Sequence, residues 1–570
     1  MHNAADSCRF APPEDVGKQI PCANDGKKGK DGEPGTRLLL PSSRSAPAAA
    51  RRVAACVAIA VTALAALTLL AGCGGNGSKL DPQTAVILIE SSPTSLDPRI
   101  GIDAQAEHID ELIFDPLVHK DAQFNLQPWV ASSWETPDPL TYIFHLRRDV
   151  YFQNGKRLDA DDVKWTLDTM RNGTLLTAKG SAYEQIDRVD APSPDTVAIH
   201  LKQPDASLLW NLSDGAMGIV PAGSGRDFGF NPIGSGPFRF VSQRPDRDVI
   251  LVRNDHYWQT PPAIPRIRFA VAPDAITRAL ELDKGSADAC INCLTPDMVD
   301  SLAKRRDLVV SSVPGTSLNY LAFNTQDPIL KDVRVRQAIA CAINRPLIIH
   351  SLWRDRARLA ESLLPSDHWA WNGAVEHYSY DPANAKALLD QAGWKPGKDG
   401  IRFHLSIKTS TDETARLLAL VLQEQLRAVG IDVQVRSFEF ATFFADVTRG
   451  AFQMYTLRWE GGNEDPDIYR YAYTTAMFPP RGANRGRYSN PEVDKLIEEA
   501  GAAGDQSVRR RDYARVQQIL SAELPTINLW YLDTVMVHNR RLSGVRLSPS
   551  GSFDFLKTAT LAPAAPPASK

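Results

Sequence analysis

Apolar residues recur along this chain in three rhythms, and each rhythm predicts a different element. The continuous run Val86-Ile87-Leu88-Ile89 suits a strand buried on both faces. Strict alternation in Thr141 to Leu146, Phe238 to Val241, Phe403 to Ile407 and Ile431 to Val435 suits strands with two unlike faces. Val335, Ala338, Ile339, Ala342 and Ile343 fall at helical spacing behind Asp332, whose carboxylate is placed to cap free amides, while Arg334 and Arg336 sit off that stripe. Before it, Tyr320-Leu321-Ala322-Phe323 reads as a short buried strand.

Punctuation supplies the connections. Asn154-Gly155 predicts a tight turn, after which Asp159 caps a helix through Val163 and Trp165. Ile186 to Val189 and Val197 to Leu201 predict a hairpin across Pro192-Ser193-Pro194-Asp195. In Gly234-Ser235-Gly236-Pro237 the glycines let backbone approach backbone where a Cβ would clash. Asp381-Pro382 to Gly393 carries a cap, a first-turn Pro and a terminal Gly, and Asn490-Pro491 opens another helix. The strand at 403–407, an apolar-faced helix over 412–428, Gly430 and the strand at 431–435 form a βαβ unit. That unit predicts a parallel pair whose ligands gather at the carboxyl ends of strands.

Length and charge bound the function. With 570 residues, 43% hydrophobic and 23% charged, the chain exceeds what one core usually fills. Its net charge is -3, and residues 1–72 hold nine Lys/Arg against six Asp/Glu, so the remainder is more acidic still. With no basic run to neutralise phosphates, nucleic acid is excluded as the main partner.

The N-terminus carries an address. Residues 1 to 50 read as a disordered or untranslated leader. Arg51-Arg52, the apolar stretch Val53 to Leu70 and Ala71-Gly72-Cys73 make the three zones of a secretory signal. Leu70-Ala71-Gly72-Cys73 resembles a bacterial lipobox, which implies a signal peptide over 51–72 and acylation of Cys73. An uncleaved membrane anchor is the competing reading, since about 20 apolar residues cross a bilayer. A flexible tether follows over 73–84.

The wording of the predicted elements is similar to one family. Ser95-Leu96-Asp97-Pro98, Trp134-Glu135, Thr141 to Arg147, Phe152 to Gly155, Leu158 to Val163, the 234–237 turn and Asn319 to Arg345 resemble, in order, the peptide/nickel class of ABC-importer solute-binding proteins, solute-binding family 5. The resemblance covers Val86 to Phe555. It implies an α/β, two-lobed periplasmic-binding-protein fold of the large peptide-binding type, with mixed sheets and a hinge between discontinuous lobes. Lobe I is expected over 85–316 with an extra subdomain at about 110–228, lobe II over 317–525, a return to lobe I over 526–558, and a disordered tail over 559–570.

The same resemblance makes Tyr455 to Asp467 the cleft loop. Tyr320, Lys408, Thr409, Arg458, Trp459, Glu460, Gly461, Gly462 and Asp465 are the expected ligand-binding residues. Bare amides and an indole plane suit a small extended ligand, whereas Trp459 as core and Gly461-Gly462 as an ordinary turn is the competing reading. In dipeptide-binding members an acidic residue holds the ligand's amino group and an arginine its carboxylate; here Gly462 and Thr409 stand at those places. A free dipeptide is therefore not the expected substrate, because a buried ligand charge without a partner is costly. Lys408, Arg458, Glu460 or Glu464 are the charges that would substitute.

No G-x-S-x-G or H-E-x-x-H pattern occurs, and no enzyme activity or cofactor is expected. Cys290 and Cys293 read as structural cysteines, free or disulfide-linked, with a metal or redox role as the rival. His368 and His377 are the one moderately close histidine pair. The implied function is peptide capture by a monomeric lipoprotein at the periplasm or cell surface, for an ABC permease and its ATPases. The alternatives are a nickel, opine or sugar receptor of the same fold, or a non-transport signalling lipoprotein.

Overall fold

The computed structural model describes residues 81–562, apart from 102, 122–124, 176, 214–216 and 460–464. Cys73, the signal segment and residues 563–570 lie outside the described residues, as do Glu460, Gly461, Gly462 and Glu464, whereas the start of the expected tail is structured: Ala559 is buried and Thr560–Leu561 pairs with Leu542–Ser543. No helix among the described residues is long and apolar enough to cross a membrane.

Two large mixed sheets organise the chain. The first runs in the order Leu308–Val313, Thr534–Asn539, Ala289–Ile291, Thr84–Ile89, Arg266–Val271, Asp248–Arg253, Phe238–Arg244. Thr84–Ile89 is buried at every position and is flanked by parallel partners on both sides, which is what its unbroken apolar run requires. The second sheet runs Ala357–Leu359, Thr526–Leu532, Leu318–Phe323, Met454–Trp459, Phe403–Ser410, Ile431–Phe438. Its βαβ unit forms as read: Phe403–Ser410 and Ile431–Phe438 pair in parallel, and Glu413–Arg427 buries Leu418, Leu422 and Leu426 between them and the sheet. A four-stranded antiparallel sheet, Ala131–Asp138, Thr141–Leu146, Thr196–Leu201 and Ile186–Ser193, has its own core with the helix Ala160–Arg171.

The expected caps are in place. The Asp332 side chain accepts from Arg334 N, and Asp159 with Asp162 forms a reciprocal capping box. Gly234 and Gly236 sit against the carbonyl end of the helix Ala104–Ile113, where a Cβ on either would overlap backbone. Cys290 and Cys293 are disulfide-bonded, and Cys341 is a free, buried thiol.

The chain passes between the two large sheets twice, from Val313 to Leu318 and from Leu532 to Thr534. These crossings lie side by side: Leu532 N donates to Ser317 O at 2.9 Å, and a Cβ on Gly315 would overlap the Leu532 carbonyl. The second crossing comes later than expected. Thr526–Leu532 pairs with Leu318–Phe323 in the second sheet, and the first sheet is rejoined only from Thr534. Alternation marks a strand but not the sheet that receives it.

Candidate functional site

Parallel strands present their carboxyl ends at one edge of a sheet. In the second sheet those ends are Ser410, Phe438 and Trp459, joined by Leu318 at the start of its antiparallel neighbour. The crossings to the first sheet leave from the same edge. On one face, the pleat brings Leu318, Tyr320 and Ala322 opposite Trp459, Leu457 and Tyr455. The helix Phe440–Arg449 covers part of this face with Phe443 and Val447.

Beyond that cover lies a pocket with about 440 Å³ of open space, part of it continuous with solvent. Leu318, Tyr320, Tyr455 and Trp459 form its sheet side, and Tyr473, Tyr488 and the segment 483–486 close it. Ring centroids of Tyr320 and Trp459 are 6.5 Å apart, those of Trp459 and Tyr471 6.3 Å, and Tyr320 meets Tyr455 edge-on at 5.9 Å. Burial pushes the phenols of Tyr320 and Tyr455 upward, so both are protonated donors at neutral pH. Arg485 also lines the pocket; its guanidinium interacts electrostatically with the Tyr320 and Tyr455 phenols and lies 5.0 Å from the Phe444 ring centre.

The residues expected from sequence divide. Tyr320 and Trp459 line the pocket. Lys408 faces the same side but ends on Asp446 at 2.6 Å and stacks on Phe438; that bond, with the one from Arg449, holds the Asp446 carboxyl below its usual range. Asp465 is tied to Arg509 at 2.9 Å, with burial pushing its carboxyl up to about 6 against the pull of that arginine. Both charges are balanced inside the lobe. Thr409 is fully buried on the opposite face, where its hydroxyl and that of Thr456 have no hydrogen-bond partner among the described residues. Arg458 projects from that face too.

The histidine pair does not converge. His368 Nδ1 accepts from Ala370 N at 3.0 Å, whereas His377 meets Glu361 at 3.5 Å. Among the described residues, no group of three or more His, Cys, Asp or Glu is placed to hold a metal. Tyr455 belongs to the expected cleft loop but not to the expected ligand-binding set, and Tyr473, Tyr488 and Arg485 carry no signal in the sequence. The last two sit in the irregular segment after Met477, where no periodicity assigns a face.

The model for bacterial extracellular solute-binding proteins, family 5, matches residues 125–477. The chain belongs to this family. The dipeptide-binding protein of Escherichia coli K12 is 26% identical over 512 residues, covering 84% of this chain and 95% of the relative. Among solved structures, NikA from Brucella suis in complex with Fe(III)-EDTA superposes with a TM-score of 0.77 at 26% identity, covering 84% of this chain and 100% of that one. The Helicobacter pylori binding protein DppA in complex with the peptide STSA superposes with a TM-score of 0.72 at 25% identity, over 84% and 98% of the two chains. The two-lobed fold expected from the motif order is thus the fold of this protein. Family 5 proteins bind solutes rather than turn them over.

Proposed function

We propose that this protein is the extracytoplasmic receptor of an ABC importer, capturing a peptide of more than two residues, or a peptide-like solute, and delivering it to a membrane permease with its ATPases. The observation that carries this reading is the aromatic pocket at the crossing edge of the second sheet. Trp459 and the tyrosines supply planes for side chains, and their hydroxyls suit the amides of an extended chain. A solute seated there is within reach of the first lobe across two short crossings, so its contacts with both lobes would favour the closed arrangement. No catalytic group is needed. Acylation of Cys73 would keep the monomeric receptor beside its permease at the periplasmic or outer cell surface.

Mass spectrometry of the small molecules released when the protein from its native compartment is denatured tests this reading. Peptides longer than two residues are the expected result. Recovery of free dipeptides, a sugar or an opine-like compound would overturn it, and an empty site would favour the non-transport signalling role.

A further inference from the structure

Most buried and half-buried arginines of the second lobe end on formal or partial negative charge. Arg509 meets Asp465 at 2.9 Å, Arg470 meets Asp467 at 3.0 Å, Arg402 meets Asp390 at 2.6 Å and Arg345 meets Glu361 at 3.2 Å. Arg336 places its guanidinium on the carbonyls of Leu330, Glu523 and Leu524. Arg485 is built differently. Among the described residues it makes no ion pair; two phenol oxygens and the face of Phe444 are what surround it. It lines the pocket that also holds Trp459.

Arg485 is half-buried, and its neutral surroundings leave its charge without a counter-ion among the described residues. The phenols and the ring hold it in position without neutralising it, and its planar fork matches a carboxylate's two oxygens. A purely structural arginine is commonly served by a carboxylate, as Arg509, Arg470, Arg402 and Arg345 are.

We propose that Arg485 is the anion anchor of this pocket: the solute carries a carboxylate that pairs with Arg485 while its body lies against Trp459 and the tyrosines. This rests on the pocket being the solute site, as proposed above, and it narrows the substrate class. The carboxylate has two sources with the same chemistry, the C-terminus of a short peptide or the arms of a metal chelate. It also gives the second lobe a positive group for the ligand where Thr409 offers none and Lys408 is occupied by Asp446.

The test is calorimetric titration of the full mature protein with three probes: the tetrapeptide Ser-Thr-Ser-Ala, its C-terminal amide, and Fe(III)-EDTA. The wild type is expected to bind the free acid at least about 30-fold more tightly than the amide, the scale of a lost partner in a buried charge pair. Arg485→Gln is expected to shrink that ratio to within about 3-fold, and Arg485→Lys to keep part of it, since the charge survives without the fork. If the wild type fails to distinguish acid from amide, the anchor falls while the peptide reading stands, and this result needs no variant to fold. If only Fe(III)-EDTA binds, and Arg485→Gln abolishes it, the anchor stands and the peptide reading falls. Full acid preference in a folded Arg485→Gln variant, or binding of none of the probes by the wild type, overturns the anchor.

Discussion

His119 makes this fold sensitive to acid. Its ring stacks 4.4 Å from Trp129 in a mostly buried position, and burial, reinforced by the positive charge of Lys557, pushes its pKa down to about 4. The unfolded chain takes up this proton near 6.5, so between those values the unfolded state binds more protons than the folded one. The stabilisation is complete above pH 6.5 and is lost as pH falls toward 4. From pH 6.5 to 5 this one group withdraws about 2 kcal/mol. Urea unfolding at both pH values checks this as a difference: His119→Gln should lose less stability than the wild type, by about that amount, and equal losses would contradict it. At this scale the sequence was legible where a residue acts on its own helix, as Asp332, Asp159 and Thr295 do in capping. It was illegible where a charge is settled by another segment. Lys408 is balanced by Asp446 of the helix Phe440–Arg449, Asp465 by Arg509 of the helix Gln506–Glu523, and Arg336 by carbonyls at that helix's end.

Among elements, the turn at Gly234 is the tightest joint that sequence foresaw. Gly236 N donates to Ile113 O at 2.9 Å, and Gln153 is bonded to both chains, its side-chain amide reaching Ile113 O at 3.2 Å and its backbone N reaching Gly234 O at 2.8 Å. A methyl at Gly234 would meet the Ile113 carbonyl, an atom fixed by its helix and unable to swing aside. Gly234→Ala is expected to cost at least about 2 kcal/mol in a denaturation experiment, the scale of overpacking; a change within about 0.5 kcal/mol, as at ordinary surface sites, would refute the close approach. Such a glycine pair, like the βαβ unit, is legible because local chemistry and tertiary role agree. The strand Thr526–Leu532 is the opposite case. It buries Ile527, Leu529 and Trp530 in one core and, past a register shift, Tyr531 in another beside Leu318, and nothing local says that its partner is Leu318–Phe323. The pocket wall from Tyr471 to Tyr488 was missed for the same reason: its aromatics come from a short helix and irregular chain, and only folding brings them over the sheet.

For the whole molecule, the proposed function depends on how two lobes share one solute. The adjacent crossings at 313–318 and 532–534 are the only covalent links between the large sheets among the described residues. Away from them the lobes meet through Arg354 with Asp297 at 2.9 Å, Arg356 with Asp300 at 2.6 Å, and Ala206 N donating to Gly501 O at 2.9 Å. Two of these are partly exposed ion pairs of modest worth, so on the proposed reading the solute decides the balance between open and closed. Small-angle X-ray scattering on protein unfolded and refolded to remove bound solute, then supplied with the peptides recovered from the native protein, tests this most directly. A receptor that closes on its ligand becomes more compact, so the radius of gyration falls on addition. An unchanged radius with the peptides demonstrably bound would contradict closure as the means of capture.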